Sequence, residues 1–599
     1  MIPSSYAAVD RLMDEFFDGG GTPGLAYGVV ADGGLVHVGG RGQARLGGPV
    51  PDASTVFRIA SMTKSFLGAT VLSLRDEGRL SLEAPVATYV PELDGVRGPT
   101  RDSPPPTVRD LLTMSAGWVT DDPWADRNEA MAREELSALL RRGLIFDAAP
   151  GTRFEYSNLG WTILGRVVTE VAGRQFQDVV RERVLVPLGL TGTGFTPDDV
   201  PADRLADGHF RLDDTWHVEP TSPTGEFAAL GGLFSTVEDL ACWIATLCGA
   251  FPARDDDDPC VPVSRASLRE LQQAHRFVGV VRGAPGDDRL PGEANAYGFG
   301  LMVTEHPRFG TFVHHGGGYP GYGSHMVWHP ASGLGVVGLA NARYAGPYRM
   351  TRVALSALLE ELDAPARVVR PTAAASSARS RVDDLLSAWD DAVASDLFAP
   401  NVDGDLPRER RRADLATAVE SVGGLTGPAY DVTAHAASRL VWWRPGERGR
   451  LRVELWLTPE SPQRVQVLDV RGVPDPAEPL VAAARRIASS LLASTSLAAE
   501  PSWPDGIAVA SSVDRAALVV EARRAVAVGA VGDLDPLPVS ASSAYEATFE
   551  VRGAEARAAL TVAVDAATGE VTSCRLAVSG DEWPTAARTE LTDAIEHTI

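Results

Sequence analysis

One lysine stands in this chain. Lys64 is the single exception among 55 basic residues, all the others being arginine. An arginine guanidinium keeps its proton in a protein, whereas a buried lysine shifts its pKa and exchanges one, so keeping lysine here points to proton chemistry. Ser61 lies three residues earlier, and the stretch beyond it (Phe66, Leu67, Ala69, Val71, Leu72, Leu74) has the apolar spacing of a helix. An i, i+3 pair shares one helix face. Ser61-Met62-Thr63-Lys64 therefore reads as a hydroxyl beside the amine that activates it, the arrangement of nucleophilic catalysis. The same four residues, taken alone, also describe an exposed polar pair.

Two further segments carry candidate groups. Tyr156-Ser157-Asn158 follows the turn Pro150-Gly151 and precedes a helical pattern from Leu159 onward. Both outer side chains thus fall at a loop-to-helix junction, where functional groups are commonly displayed. The plainer reading is a helix start, with Asn158 capping and Tyr156 packing. His315-Gly316-Gly317-Gly318 reads as a histidine at a glycine-rich turn, and a histidine there also fits a satisfied core position.

In this order, Ser61-x-x-Lys64, Tyr156-x-Asn158 and His315-x-Gly317 resemble the β-lactamase-like serine hydrolases of the class C and D-aminopeptidase type. Phe57-Arg58-Ile59-Ala60, Leu111 to Gly117, Pro150 to Phe154, Gly231 to Thr236 and Pro320-Gly321-Tyr322 extend the likeness over roughly residues 5 to 363. The resemblance implies an acyl-enzyme at Ser61, with Lys64 and Tyr156 sharing the role of general base. It implies that Asn158 orients Lys64 and touches the substrate's amide, that Gly316 and Gly317 contact substrate, and that His315 orients the network or binds substrate. Backbone N–H groups of Ser61 and Gly318 would form the oxyanion hole. No metal or organic cofactor is implied. The expected substrates are small esters, amides or D-amino-acid-containing peptides, because a neutral imidazole in the third motif suits a substrate carboxylate less well than a lysine would. The alternatives are β-lactamase or penicillin-binding-type activity and, in another class, a non-catalytic ligand-binding or regulatory protein using the same pocket.

The elements that must position these groups make an α+β chain. A helix over residues 7–17 precedes a hairpin around Ala31-Asp32-Gly33-Gly34. Helices follow over Phe66 to Leu74, at 108–112, 129–142 and from 159, and another at 236–248 with Ser235-Thr236-Val237-Glu238 as a capping box. Strands are predicted at 297–304, 312–315, 325–329 and 334–341, then a helix at 348–362. Strands at both ends with helices between them indicate an α+β domain whose terminal strands share one sheet; the resemblance implies the β-lactamase/transpeptidase-like arrangement, an antiparallel sheet flanked by helices plus a helical region. This domain is assigned to residues 1–365 and a linker to 366–378. Two small α+β accessory domains are assigned to 379–475 and 479–599, with a closing helix from Pro584. Both loosely resemble the cone-shaped, nuclear-transport-factor-like accessory domains.

Composition bounds the partners. A formal charge of −24 argues against a polyanionic ligand, so no nucleic acid is expected. No run of about 18 apolar residues suits a membrane span, and the first residues lack a basic, then apolar leader, so a cytoplasmic address is expected. Four cysteines (Cys242, Cys248, Cys260, Cys574) read as reduced thiols. Asp255 to Asp258 read as a solvated loop, since four adjacent carboxylates lack the spacing of a Ca²⁺ loop. The oligomeric state is left open.

Overall fold

Strands β1 (Gly24–Ala31) and β2 (Gly34–Gly42) form the predicted hairpin, closed by Asp32 and Gly33 with both residues at positive φ. That is the backbone a two-residue turn between twisted strands requires, and Asp-Gly adopts it readily. The computed structural model describes residues 4–254, 263–281, 293–306, 309–362, 370–491, 507–511, 513–527, 532–535, 538–553 and 557–578. The chain divides into two units, Met1–Arg367 and Val368–Ile599.

In the first unit the hairpin joins β3 (Arg276–Val281), β4 (Glu293–Tyr297), β5 (Met302–His306), β6 (Gly310–Tyr319), β7 (Tyr322–His329) and β8 (Leu334–Ala340). All pairs are antiparallel, in the order β2-β1-β8-β7-β6-β5-β4-β3. The terminal strands do share one sheet: Leu25 pairs with Ala340 and Val29 with Val336. Helices α1 (Ser4–Asp18), α2 (Thr63–Asp76), α3 (Asn158–Ala172), α4 (Val237–Gly249) and α5 (Tyr348–Glu361) complete the layers. Because successive side chains on a strand alternate faces, Leu25, Tyr27 and Val29 pack with Val9, Met13, Leu355 and Leu358 of α1 and α5. Ala26 and Val30 turn instead into the core built with α2, α3 and α4. Covered on both faces, β1, β7 and β8 are buried along their whole length.

Several expectations are corrected here. Residues 297–304 are not one strand: Tyr297 ends β4, residues 298–301 turn with Gly300 at φ +84°, and Met302 begins β5. The histidine-glycine segment is not a turn either; it lies inside β6. The helix expected at 129–142 is Arg133–Arg141, because the Glu129 side chain is buried against Arg58 and Tyr319. Helix α4 is capped by Thr236, which accepts from the Asp239 N–H. Ser235 is unavailable for that role, being in a short strand paired with Phe57 and bonded by its hydroxyl to Thr193.

The second unit contains two sheets, each with its own core. A four-stranded meander, Tyr430–Ala436, Arg439–Gly446, Gly449–Leu457 and Val465–Pro474, packs with the helices Ala373–Ser387 and Arg408–Ser421. A five-stranded sheet over residues 532–578 packs with the helices Glu478–Leu491 and Arg515–Ala527. The expected linker is helical from Ala373 onward. Thr372 caps it, and Ala375 and Ala378 are buried in the first of these cores, so burial outweighs the loop-like composition of the segment. Cys242, Cys248 and Cys574 are free thiols. Cys260, Asp255 to Asp258 and the closing helix from Pro584 lie outside the described residues. Among the described residues no helix is long and apolar enough to cross a membrane.

Candidate active site

Ser61 sits in a single 3-10 turn, Ala60–Met62, that runs directly into α2. Ala60 just before it has φ +49°, a left-handed conformation that costs a residue with a Cβ on the order of 1 kcal/mol or more. The turn is pinned from both sides. The Ile59 N–H donates to Leu233 O at 2.9 Å, and its carbonyl accepts from Ser324 Oγ at 2.9 Å. The result is a hydroxyl held at the edge of the turn, with Lys64 in the first turn of the buried helix that follows.

Lys64 is fully buried, and its Nζ has three partners: Ser61 Oγ at 2.9 Å, Asn158 Oδ1 at 2.8 Å and the Leu230 carbonyl at 2.6 Å. Burial pushes its ammonium down to about 8, although Asp122, Asp126 and Asp121 pull the other way. Tyr156 donates from Oη to Ser61 Oγ at 3.0 Å. Loss of solvent around that phenol, followed by the nearby Tyr297 and Asp122, holds its pKa well above the ordinary tyrosine value. The hydroxyl of Ser61 is thus flanked by a lysine poised to lose a proton and a phenol that keeps its own.

Tyr156 and Asn158 reach the turn because α3 begins between them. Ser157, not Asn158, is its cap, accepting from the Gly160 N–H. Asn158 is completely buried. Its N–H donates to Asp121 Oδ1 at 2.6 Å, the Leu159 N–H donates to Asp121 Oδ2 at 2.8 Å, and its own Nδ2 donates to Asp122 Oδ1 at 2.6 Å. Asp126, pushed up to about 7 by burial and then by Asp122, accepts from the Tyr344 hydroxyl at 2.9 Å. No motif in the sequence marked these aspartates, the Leu230 carbonyl or Tyr297.

Strand β6 supplies the third piece. Its pairing with β5 ends at His314, and Gly317 beyond it lies against the Ser61 turn. A Cβ on Gly317 would overlap the Ile59 carbonyl and Ser324 Oγ, one on Gly316 the Tyr348 ring, and one on Gly318 the Tyr344 ring. The three glycines therefore answer a packing demand that a substrate-lining role alone does not explain. His315 is buried behind this surface. No direct hydrogen bond joins it to Ser61; its Nε2 lies 3.2 Å from Tyr297 Oη and its Nδ1 2.6 Å from Gly316 O. Burial first, then the charge of Lys64, pushes its pKa down to about 3, so the imidazole is neutral.

The site joins Ser61, Tyr156 and His315 from three separate elements. The Beta-lactamase family model matches residues 9–360. The D-alanyl-D-alanine-carboxypeptidase/endopeptidase AmpH of Escherichia coli (strain K12) is 29% identical over 335 residues, which are 55% of this chain and 81% of that protein. Among solved structures, the octameric penicillin-binding protein homologue from Pyrococcus abyssi aligns with a TM-score of 0.49 and 20% identity, over 76% of this chain and 91% of its own. A class C beta-lactamase aligns with a TM-score of 0.47 and 19% identity, over 60% of this chain and 96% of its own. Since the family model runs through more than half of the sequence and through every residue of the Ser61 site, the chain belongs to the Beta-lactamase family, whose enzymes are serine hydrolases.

Proposed function

We propose that this protein hydrolyses small esters, amides or D-amino-acid-containing peptides through an acyl-enzyme at Ser61, with Lys64 as the base of acylation. One observation carries the assignment. The Asn158 Oδ1 and the Leu230 carbonyl can only accept, so they take both hydrogens of a neutral Lys64 amine, and its lone pair is left facing Ser61 Oγ 2.9 Å away. Tyr156, kept protonated, donates to the same oxygen and serves as a partner for the developing charge rather than as the proton acceptor.

In the forward step Ser61 Oγ bonds to the acyl carbon as its proton passes to Lys64 Nζ. The C–O or C–N bond to the leaving group then breaks, the leaving group taking that proton, and water repeats the sequence to release the acid. The backbone N–H groups of Ser61 and Gly318 would polarise the carbonyl, a role supported by the close seating of β6 on the turn.

His315 bears on the substrate class. AmpH is by its name a D-alanyl-D-alanine carboxypeptidase and endopeptidase. A substrate ending in a free carboxylate calls for a fixed positive charge, and the neutral, doubly bonded His315 supplies none. Substrates without a carboxylate at that point are favoured. The test is turnover of a panel of chromogenic esters, D- and L-aminoacyl amides and nitrocefin by the wild type and Ser61→Ala, with fluorophosphonate labelling read by mass spectrometry. Label on Ser61 and loss of turnover in the variant are expected; equal turnover by the two proteins would remove the proposal.

A further inference from the structure

The carboxamide of Asn158 has a donor end and an acceptor end of nearly equal size, and a half-turn about its last bond would exchange them. Which end faces Lys64 decides where the lysine lone pair points. If the amide nitrogen faced Lys64, the lysine lone pair would have to accept from Asn158. The two hydrogens would then go to Leu230 O and Ser61 Oγ, leaving no base for the serine proton. Lys64 alone does not settle the choice, since a neutral amine can donate or accept.

Asp122 settles it. Its Oδ1 stands 2.6 Å from Asn158 Nδ2, on the side of the amide away from Lys64. A carboxylate only accepts, so the NH2 end must face it and the oxygen must face the lysine. We infer that Asp122 is a positioning residue of the acylation machinery: by fixing the sense of the Asn158 amide it obliges Lys64 to donate there and to turn its lone pair on Ser61. The inference rests on the reading of Lys64 as the base.

Asp121 cannot substitute. Its two oxygens are engaged by the backbone N–H groups of Asn158 and Leu159, which anchor the start of α3 whatever the side chain of Asn158 does. Asp122 itself is exposed at the rim of the site, so its truncation leaves that anchor and the core in place. The charged and titratable groups that face Lys64 are Asp121, Asp122 and Asp126 from the 121–126 segment, Tyr156 from the start of α3 and His315 from β6. Among the aspartates Asp122 exerts the largest pull toward the ammonium form. Removing its charge therefore favours the free amine, whereas removing its acceptor frees the amide to rotate.

The two effects separate in the full-length protein by comparing Asp122→Ala with Asp122→Asn. Rates of fluorophosphonate labelling are measured from pH 6 to 10, and thermal unfolding checks the fold. Asp122→Ala is expected to be labelled at least tenfold more slowly across the range. Asp122→Asn keeps an acceptor oxygen for Asn158 and is expected to recover most of that loss, with the rising limb of its pH profile moved to lower pH than in the wild type. Labelling of Asp122→Ala at the wild-type rate, of Asp122→Asn as slowly as Asp122→Ala, or an unmoved pH midpoint would each overturn the inference. A wild type that takes no label at Ser61 would bring down the hydrolase reading itself, a result distinct from all three.

Discussion

The hydroxyl of Tyr297 stands 3.2 Å from Nε2 of His315, while Nδ1 of the same ring stands 2.6 Å from the Gly316 carbonyl. A carbonyl only accepts, so Nδ1 carries the hydrogen and Nε2 accepts from the tyrosine. Both ring nitrogens are thereby spent inside the protein, and His315 acts as a brace between β4 and β6 beside Lys64. Tyr297→Phe strands Nε2 in a buried site. A loss of about 1–3 kcal/mol in urea unfolding is expected, and an unchanged midpoint would show that the pair contributes nothing.

As the proposed base, Lys64 gives and takes a proton, which arginine does not. Lys64→Arg should fold but acylate Ser61 at least about 100-fold more slowly, the low end of what a positioned general base contributes. With Lys64 as the proposed base the free amine is the active form, and burial places its titration at about 8. The labelling rate should therefore climb as pH rises through that region and level off above it. A flat profile from pH 6 to 9 would exclude Lys64 as the titrating base.

Gly317 tests how β6 is seated. An added methyl would meet the Ile59 backbone carbonyl, which cannot swing aside as a flexible side chain can. Gly317→Ala is expected to push the strand from the Ser61 turn, lowering the melting temperature and the rate of Ser61 labelling together. Normal labelling in a fully stable variant would contradict the close seating.

Asp126 gives a pH signature of stability. Its pKa is raised in the fold to about 7, first by burial and then by Asp122. The native state thus binds the proton more tightly than the unfolded chain between about pH 4 and pH 7, and the wild type loses stability as pH rises through that window. Asp126→Asn retains an acceptor for the Tyr344 hydroxyl but does not titrate. The variant should match the wild type near pH 4 and exceed it in stability near pH 8, as read by denaturant unfolding at the two values. A gap of the opposite sign would refute the assignment.

Much of this is legible in the sequence alone. A hydroxyl and an amine three residues apart are neighbours on any helix or tight turn, so Ser61 and Lys64 were local facts. The strand-rich ends and helical middle likewise follow from periodicity, and the Asp-Gly hairpin from backbone preference. The errors arose where a long-range contact overrode a local pattern. Ser235 looks like a cap until strand pairing takes it, Glu129 looks helical until Arg58 and Tyr319 hold it, and 373–378 looks like a linker until Ala375 and Ala378 are buried.

The sequence by itself determined which groups could do chemistry, because residue type and short spacing survive in one dimension. Only the tertiary structure decided their protonation and direction. Desolvation of Lys64 and His315, the hydrogen-bond accounting around Asn158, and the entry of Asp122 and Tyr297 all depend on atoms brought together from segments far apart in the chain. Burial and hydrogen-bond geometry are properties of the packed molecule, and no window of residues carries them.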